Sequence, residues 1–334
     1  MSKIKTFRVA AYTPCTRTQS WPNLGQRIDE VKNRISTAAT YLNMKFNNDP
    51  ADLNIFVAPE WCFQKEHNKQ KEGATFHTSN DLALIIKGMK DVSSQHPNLL
   101  IIPGSVIWSI PDSTRGEIVY NTVFVFYAGN LLHTYHKSDW GGDTYRPGTF
   151  ATTMKIEGVA SAWGNILRSS YGIKKGGKTK NVQTNSHFFE CRGLLIGVEV
   201  CADHIGGMMR KEYIDKWKNG KGIDLHIIVA CGMSPSSEKV VAKKGGYIIA
   251  CEGFYDNDVP TVASEGKSNK LNSLAIFKVS NRNGSVLQSE GNCQLMPNIT
   301  EIQLGQLTKK FIVMSPLNKR IVIDMKKYIL KSIW

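Results

Sequence analysis

The sequence lacks the features that mark several classes of protein. No stretch approaches the roughly 18 consecutive apolar residues that a membrane-spanning helix needs. The seven cysteines include no CxxC pair, and no set of His, Cys, Asp and Glu residues has the spacing of a zinc site. A glycine-rich phosphate-binding loop is also missing. The sequence therefore indicates no membrane span, no zinc site and no glycine-rich phosphate-binding site.

A disulfide framework and a secretory leader are missing as well. The chain has seven cysteines, an odd number, and they are dispersed along the sequence. This is typical of a protein from a reducing compartment. The first residues, Met1 to Thr6, carry charge but are followed by no apolar segment of the kind that a signal peptide has. We expect a cytoplasmic protein.

Acidic residues are scarce: 28 Asp and Glu stand against 42 Lys and Arg, a formal net charge of +14. Solubility alone accounts for such an excess, and an acidic partner is the alternative. Much of the charge lies in 174–180 and near the C-terminus. Because no aromatic residues are interleaved with the first cluster, a surface that stacks on bases is not indicated. We do not expect nucleic acid as the partner.

What is present is the pattern of a mixed α/β protein of 334 residues. Apolar runs typical of buried strands alternate with helical periodicity in the first third of the chain, and hairpins follow. Strands are predicted at 7–12, 52–58, 99–108, 119–127, 131–136, 194–200, 224–230, 246–250, 274–279 and 285–288. Helices are predicted at 23–46, 80–92, 208–217 and 239–244.

The domain organisation follows from composition. No internal repeat and no shift in composition divides the chain, so one domain spanning 1–334 is predicted. The segment 143–185 is rich in Gly, Ser, Thr and Lys and is interpreted as an insertion or lid. A C-terminal arm begins at about 303.

Three reactive side chains stand at the ends of predicted buried strands: Glu60, Lys137 and Cys201. Taken singly, each is ordinary, because loop residues are often charged and a free cysteine usually packs in the core. The carboxyl ends of parallel strands meet at one edge of a sheet, however, so the three are expected to lie together. A thiolate attacks a carbonyl carbon, a carboxylate moves the proton, and an ammonium stabilises the oxyanion.

The surrounding motifs resemble the nitrilase, or carbon–nitrogen hydrolase, superfamily. They are Val57-Ala-Pro-Glu60, Tyr120-Asn-Thr122, Gly129-Asn-Leu-Leu-His-Thr-Tyr-His-Lys137 and Gly197-Val-Glu-Val-Cys-Ala-Asp203, with weaker matches at 222–225 and 283–286. Their order covers nearly the whole chain.

The resemblance implies an α/β fold of the four-layer αββα sandwich type. It makes Cys201 the nucleophile, Glu60 the general base and Lys137 the oxyanion stabiliser, with the backbone N–H of Ala202 as a second donor. It also implies a small-molecule amide substrate, no cofactor, and pairing of the sandwiches into a homodimer or larger homo-oligomer.

The chain departs from the family pattern at two points. Many members carry a second acid shortly after the lysine; here Asp143 is the candidate, Asp139 is an alternative, and Glu199 is another acid near the nucleophile. Nitrile hydrolysers often carry Trp after the cysteine, whereas this chain has Ala202. We therefore expect an amidase rather than a nitrilase.

Further residues near the motifs have two interpretations each. An aromatic residue or cysteine there lines a substrate pocket or packs in the core, and Glu199 is a second active-site acid or a carboxylate satisfied by hydrogen bonds. A histidine beside the motifs forms a Cys–His dyad or lies behind the site. These candidates are Trp61, Trp140, Tyr145, His136, His204 and Cys231.

The sequence thus predicts a cysteine hydrolase that cleaves a linear amide C–N bond through a covalent thioester. Transfer of the acyl group to an amine by the same thioester is one alternative. A catalytically silent basic scaffold that binds an acidic partner is the other.

Overall fold

The computed structural model describes residues 6–14, 16, 23–46, 52–64, 76–112, 116–138, 186–233, 235–253, 274–282, 284, 286, 292–295, 300–304 and 307–313. The predicted insertion at 143–185 lies outside these residues, as do the candidates Asp139, Trp140, Asp143 and Tyr145.

Fourteen strands and four α-helices are described. The strands are β1 (Thr6–Ala11), β2 (Asp52–Val57), β3 (Leu99–Ile102), β4 (Ser105–Asp112), β5 (Gly116–Tyr127), β6 (Asn130–His136), β7 (Phe188–Cys191), β8 (Leu194–Val200), β9 (Ile223–Ala230), β10 (Ala242–Glu252), β11 (Leu274–Asn281), β12 (Asn292–Leu295), β13 (Thr300–Leu304) and β14 (Leu307–Val313). The helices are α1 (Leu24–Phe46), α2 (Ser79–Gln95), α3 (Ala202–Gly206) and α4 (Met208–Lys216). Within these residues no helix is both long enough and apolar enough to cross a membrane.

The first sheet has eight strands, in the order β13-β14-β1-β2-β3-β5-β4, with β6 paired to β5. Strands β1, β2 and β3 run parallel. Strand β5 is antiparallel to β3, and β6 is antiparallel to β5, so β6 runs in the same direction as β1 to β3. The carboxyl ends of these four strands therefore lie at one edge, which brings the residues after β2 and after β6 to the same side.

The second sheet has six strands, in the order β12-β11-β10-β9-β8-β7. Its central strands β8, β9 and β10 are parallel to one another. Cys201 follows β8 directly, and Cys231 follows β9. Both cysteines consequently lie at the carboxyl edge of this sheet, where ligands of open α/β sheets bind.

The two sheets pack face to face, and the helices cover their outer faces. Alternation along β2 shows this: Ile55 and Val57 join a buried cluster that draws on both sheets, while Phe56 faces a second cluster formed with α1 and α2. On the other side, Met209 of α4 packs on the outer face of the second sheet. The predicted four-layer αββα sandwich is confirmed.

The carboxyl ends of the two sheets lie at the same end of the sandwich. The Thr16 N–H beyond β1 donates to the carbonyl of Gly253, which follows β10 (2.9 Å). A Cβ added to Gly253 would lie 3.0 Å from Cβ of Pro59, the residue before Glu60. Because β10 is parallel to β8 through β9, this contact places the end of β8 on the same side as the end of β2.

One predicted element differs from the structure. The helix predicted at 239–244 is wrong: a 3-10 turn, Ser237–Lys239, is followed at Ala242 by strand β10. Val240 and Val241 are buried while Lys243 and Lys244 are exposed, because the chain here runs beside β9, with Ala242 opposite Ile223. Strand β11 pairs with β12 (292–295), and most of the strand predicted at 285–288 lies outside the described residues.

Two glycine variants test whether the close contact between Gly104 and Pro59, the residue before Glu60, limits the free energy of unfolding. Both Gly104 and Gly193 have positive φ (85° and 78°), but a Cβ on Gly104 would lie 2.2 Å from the Pro59 carbonyl oxygen, whereas Gly193 faces open space. Gly193→Ala should therefore lose only the conformational term of about 1–2 kcal/mol. Gly104→Ala should lose about 1–3 kcal/mol more through overpacking, as measured by urea denaturation; equal losses would contradict the close approach.

Candidate active site

Glu60 and Lys137 form an ion pair in the interior. Lys137 Nζ donates to Glu60 Oε1 at 3.0 Å, and both side chains are completely buried. Glu60 lies in the turn after β2, and Lys137 comes directly after β6. The structure thus brings together two of the three residues that were expected to lie close to one another. At this distance the Glu60 carboxylate can hold the Lys137 ammonium in place and exchange a proton with it.

Asn121 of β5 supports both members of this pair. Its side-chain Nδ2 donates to Glu60 Oε1 (2.8 Å), and its backbone carbonyl accepts the N–H of Lys137 (2.8 Å). Sequence reasoning quoted Asn121 within a motif but assigned it no role. The available signal was an asparagine inside a long apolar strand, a position where this residue type is depleted.

Cys201 lies in a strained backbone conformation between β8 and α3. Its φ is 43° and its ψ is −105°, a combination outside the regions that L-residues favour. Its N–H donates to the carbonyl of Val229 on β9 (3.0 Å), and the residue is 7% exposed. Strain of this kind concentrates at functional sites, where the surrounding structure maintains it.

Trp61, directly after Glu60, has positive φ as well (62°). The other described non-glycine residues with positive φ are Ala128 and Arg192, and each precedes a glycine in the turn of a β-hairpin. Such turns require positive φ, whereas the turns at Trp61 and Cys201 follow parallel strands. Two strained residues are therefore found next to the candidate catalytic groups.

Asp203 connects the segment of Lys137 to the segment of Cys201. Its carboxylate accepts hydrogen bonds from Tyr135 Oη (2.6 Å) and from the backbone N–H of Ser138 (3.1 Å). Burial and the Asp203 carboxylate raise the pKa of Tyr135 well above its usual value, so Tyr135 stays a donor. Since Lys137 lies between Tyr135 and Ser138 in the chain, these bonds hold the ends of β6 and β8 together across the two sheets.

Trp61 and Cys231 lie in one small apolar cluster beside Glu60. Trp61 and Ile107 are buried there, and Phe76 and the partly exposed Cys231 pack against them. Trp61 is further fixed by its backbone N–H, which donates to Ser105 Oγ (3.0 Å). The structure brings these two pocket candidates together at the carboxyl edge of the sheets.

A carboxylate that the sequence analysis did not single out holds the turn at Cys231. Glu252, at the end of β10, is 3% exposed and accepts the backbone N–H groups of Gly232 (2.5 Å) and Met233 (3.1 Å). The turn that carries Cys231 is thereby anchored to the neighbouring strand.

Glu199 and His204 lie behind the nucleophile's turn in a buried network with His226. Glu199 Oε1 accepts from His204 Nδ1 (2.5 Å) and from His226 Nε2 (2.6 Å). His204 Nε2 accepts the backbone N–H of Ser236 (2.8 Å), and His226 Nδ1 accepts that of Val241 (3.3 Å). Both ring nitrogens of His204 are therefore engaged away from Cys201, which argues against a Cys201–His204 dyad.

The ligand atoms of Glu199, His204 and His226 lie within 4.8 Å of one another, so the set could be taken for a metal site. The hydrogen bonds argue otherwise. Each imidazole accepts a backbone N–H at one nitrogen, so its own proton lies on the other nitrogen and faces Glu199. A metal would require that nitrogen to be unprotonated and would move the proton to the side where a backbone N–H already points.

The ionisation of this network follows from the same contacts. Burial opposes ionisation of Glu199, but the two histidines that donate to it outweigh burial and hold its pKa below the usual range. Burial lowers the pKa of His226. Glu199 is thus a carboxylate, and a neutral His226 fits the N–H group of Val241 that points at its Nδ1.

His136, the other histidine considered for a dyad, lies behind Lys137. Its Nδ1 is 2.8 Å from Thr122 Oγ1, which also accepts from Trp108 Nε1 (2.8 Å). Burial lowers the pKa of His136 to about 3, so the ring is neutral near pH 7. A neutral imidazole oriented by Thr122 supports the end of β6.

Three other described cysteines are poor nucleophiles. Burial raises the pKa of Cys62 and that of Cys251, and it raises the pKa of Cys191 to about 12. Because the thiolate is the reacting species, the raised pKa makes these thiols less reactive near neutral pH. Cys201 and Cys231 remain as the cysteines at the carboxyl edge.

The structure thus combines an αββα sandwich with a buried Glu–Lys pair and a strained cysteine at one edge of its sheets. No protein-family model matches the chain, and no curated protein matches it in sequence. Among solved structures, it is similar to a carbon–nitrogen hydrolase from Helicobacter pylori G27, with 13% identity, coverage of 86% of this chain and 84% of that chain, and a TM-score of 0.44.

Two further similar structures have comparable values. Saccharomyces cerevisiae Nit3, a member of branch 10 of the nitrilase superfamily, is 14% identical over 75% of this chain and 78% of that one (TM-score 0.41). An amidase from Nesterenkonia sp. is 11% identical over 93% of this chain and 92% of that one (TM-score 0.42). At these identities the likeness concerns the fold alone.

The buried ion pair can be tested by removing one or both charges. Lys137→Met leaves the Glu60 carboxylate buried without its cation and should lower the free energy of unfolding by about 3–5 kcal/mol. Glu60→Leu/Lys137→Met removes both charges and should recover most of that loss, because apolar residues of similar volume replace a buried pair at little cost. Urea denaturation of both variants checks this; a double variant less stable than the single one would contradict it.

Acidification should destabilise the protein through His226. Its pKa is below 6.5 in the folded chain and near 6.5 when unfolded, so the unfolded chain binds more protons between these values. The free energy of unfolding should therefore fall as the pH drops below about 6.5, by at most about 1.4 kcal/mol per pH unit for one proton.

The comparison of wild type with His226→Phe at pH 7, 6 and 5 isolates this contribution. Other buried histidines, such as His133 and His136, act equally in both proteins. Urea denaturation should give a smaller loss on acidification for the variant. Identical pH dependence in the two proteins would show that His226 is not neutral in the fold.

Proposed function

We propose that the chain is a cysteine-dependent carbon–nitrogen hydrolase of the nitrilase superfamily that cleaves a linear amide. The observation that supports this most is the buried Lys137–Glu60 pair, tied through Ser138 and Asp203 to the strained turn of Cys201. A thiol, a carboxylate and an ammonium at one edge of two sheets are the groups that amide cleavage by a cysteine requires.

In the acylation step, the thiol of Cys201 transfers its proton to Glu60, and the sulfur attacks the amide carbonyl carbon. The ammonium of Lys137 and the N–H of Ala202 stabilise the negative charge that develops on the carbonyl oxygen. As the tetrahedral intermediate collapses, the C–N bond breaks and protonated Glu60 gives its proton to the leaving nitrogen. Ammonia or an amine leaves, and the acyl group remains on Cys201 as a thioester.

In the deacylation step, water attacks the thioester. Glu60, again a carboxylate, accepts a proton from the water, and the C–S bond breaks after a second tetrahedral intermediate. The proton returns to the thiolate of Cys201, and a carboxylic acid is released. If an amine attacked in place of water, the same thioester would transfer its acyl group, so hydrolysis and transfer differ only in the second nucleophile.

Three features of the proposal rest on the sequence resemblance. Ala202 after the nucleophile favours an amide over a nitrile as substrate. A homodimer is inferred in the same way, whereas a cytoplasmic location is inferred from the odd number of dispersed cysteines. The second active-site acid is proposed to be Asp143, with Asp139 as the alternative, and Glu199, which is engaged with His204 and His226, supports the site from behind.

The proposal predicts that only Cys201 becomes acylated. The protein is incubated with a panel of short primary amides and the matching nitriles, and intact mass and released ammonia are measured. Wild type should release ammonia from an amide, whereas Cys201→Ala should lose at least about 10³ of the rate, since removal of a nucleophile abolishes the covalent route. Cys231→Ala is the matched control, because Cys231 also ends a strand at this edge.

The outcomes separate the alternatives. An acyl adduct that persists on Cys201→Ala would contradict the assignment of the nucleophile. An added amine that appears in the product would turn hydrolysis into acyl transfer. Labelling of no cysteine by any amide or nitrile, together with steeply salt-dependent binding to polyanions, would favour the silent basic scaffold.

A further inference from the structure

Cys201 is flanked in the chain by two residues that bind each other. Glu199 lies two residues before it on β8, and His204 lies three residues after it in α3. Their hydrogen bond, His204 Nδ1 to Glu199 Oε1 at 2.5 Å, joins residues five apart in sequence. It therefore closes a short loop of backbone that contains the strained Cys201.

A strained conformation persists only when the surrounding structure maintains it. At Cys201, with φ 43° and ψ −105°, the short helix α3 shows no side-chain cap, so capping does not hold the turn. The contacts that hold it include the Cys201 N–H to Val229 (3.0 Å) and the His204 N–H to the carbonyl of Cys201 (2.9 Å), the bonds of Asp203 to the first sheet, and the Glu199–His204 bond. The last of these joins a residue before the turn directly to a residue after it.

Both ends of the Glu199–His204 bond are themselves fixed. His226 of β9 donates to the same oxygen of Glu199 (2.6 Å), and the Ser236 N–H holds the far nitrogen of His204 (2.8 Å). The side chains of Glu199, His204 and His226 are at most 1% exposed. Buried and satisfied in this way, the bond has one geometry rather than several, which is what a support for a nucleophile requires.

We propose that Glu199 and His204 are positioning residues that keep Cys201 in its strained conformation, with its thiol directed toward the segment of Lys137. This rests on the proposed function, in which Cys201 is the nucleophile. The role of the pair is to hold the backbone, and neither residue takes part in the transfer of the proton.

The network contains its own matched comparison. His204 and His226 each donate one hydrogen bond to Glu199 and each accept one backbone N–H. Both rings are buried. Replacing either one by Phe therefore removes the same number of hydrogen bonds and leaves a ring of similar size in its place. Only the bond of His204 spans Cys201, so a purely structural network predicts equal effects, whereas the proposed role predicts unequal ones.

The experiment measures how fast Cys201 reacts with iodoacetamide at pH 7, by peptide mass mapping, in proteins shown to be folded by cooperative urea denaturation. His204→Phe should slow the alkylation of Cys201 at least about tenfold relative to His226→Phe, the factor that corresponds to about 1.4 kcal/mol. The physical reason is that a relaxed turn moves the thiolate away from the ammonium of Lys137, which stabilises it.

A conservative variant supplies the rescue. His204→Asn places an amide N–H near the position of Nδ1, so it can keep the donation to Glu199 while it loses the contact with Ser236. Its alkylation rate should be within about threefold of wild type, which is less than half of the 1.4 kcal/mol that a tenfold change represents. If His204→Phe does not fold, Glu199→Met, which removes the acceptor, takes its place against His226→Phe.

The remaining outcomes are decisive. Equal rates in His204→Phe and His226→Phe, or a faster rate in His204→Phe, would overturn the positioning role, as would a His204→Asn rate as low as that of His204→Phe. Failure of the proposed function looks different: in wild type, Cys201 would then be alkylated no faster than Cys231, whatever the variants do.

Discussion

The buried ion pair of Lys137 and Glu60 is the interaction on which the rest of the candidate site depends. Removing two charges from water is unfavourable, and their mutual attraction compensates only when geometry and further hydrogen bonds are good. Here the hairpin strand β5 supplies both, because Asn121 donates to Glu60 and accepts the backbone N–H of Lys137. A cation is thereby held in the interior, at an edge where two sheets end, in a place where it can act on a developing negative charge.

Cys201 lies at the carboxyl edge of the second sheet, and its neighbour Asp203 is hydrogen-bonded to the segment of Lys137 in the first sheet. The thiol belongs to the second sheet, and the ion pair belongs to the first, so the site exists only because the sandwich is closed. Asp203 makes the connection at the level of single hydrogen bonds, through Tyr135 and Ser138. Strain at Cys201 and Trp61 and the buried Glu199–His204 bond on the far side indicate that the surrounding core, rather than local preference, sets the conformation of the turn.

Much of the architecture could be predicted from the sequence, because it depends on local patterns. Continuous apolar runs mark the parallel strands, and polar residues at their ends mark the edge of the sheets, which is how Glu60, Lys137 and Cys201 were selected. The segment 239–244 shows the limit of this reasoning. Its mixture of Val and Lys is compatible with a helix or a strand, and pairing with β9 decided in favour of a strand, a long-range contact that no local pattern contains.

The sequence by itself determined which side chains follow which strands, and therefore the candidate catalytic set, while the order of the layers was implied by the resemblance of its motifs to the nitrilase superfamily. Only the tertiary structure decided what those side chains touch. In the structure Asn121 contacts Glu60, and Glu199 lies at the centre of a network with His204 and His226. Each of these contacts joins residues that are separated along the chain or lie on different elements. Hydrogen bonds depend on distances of tenths of an ångström, whereas a sequence pattern reports only which face and which end of an element a residue occupies.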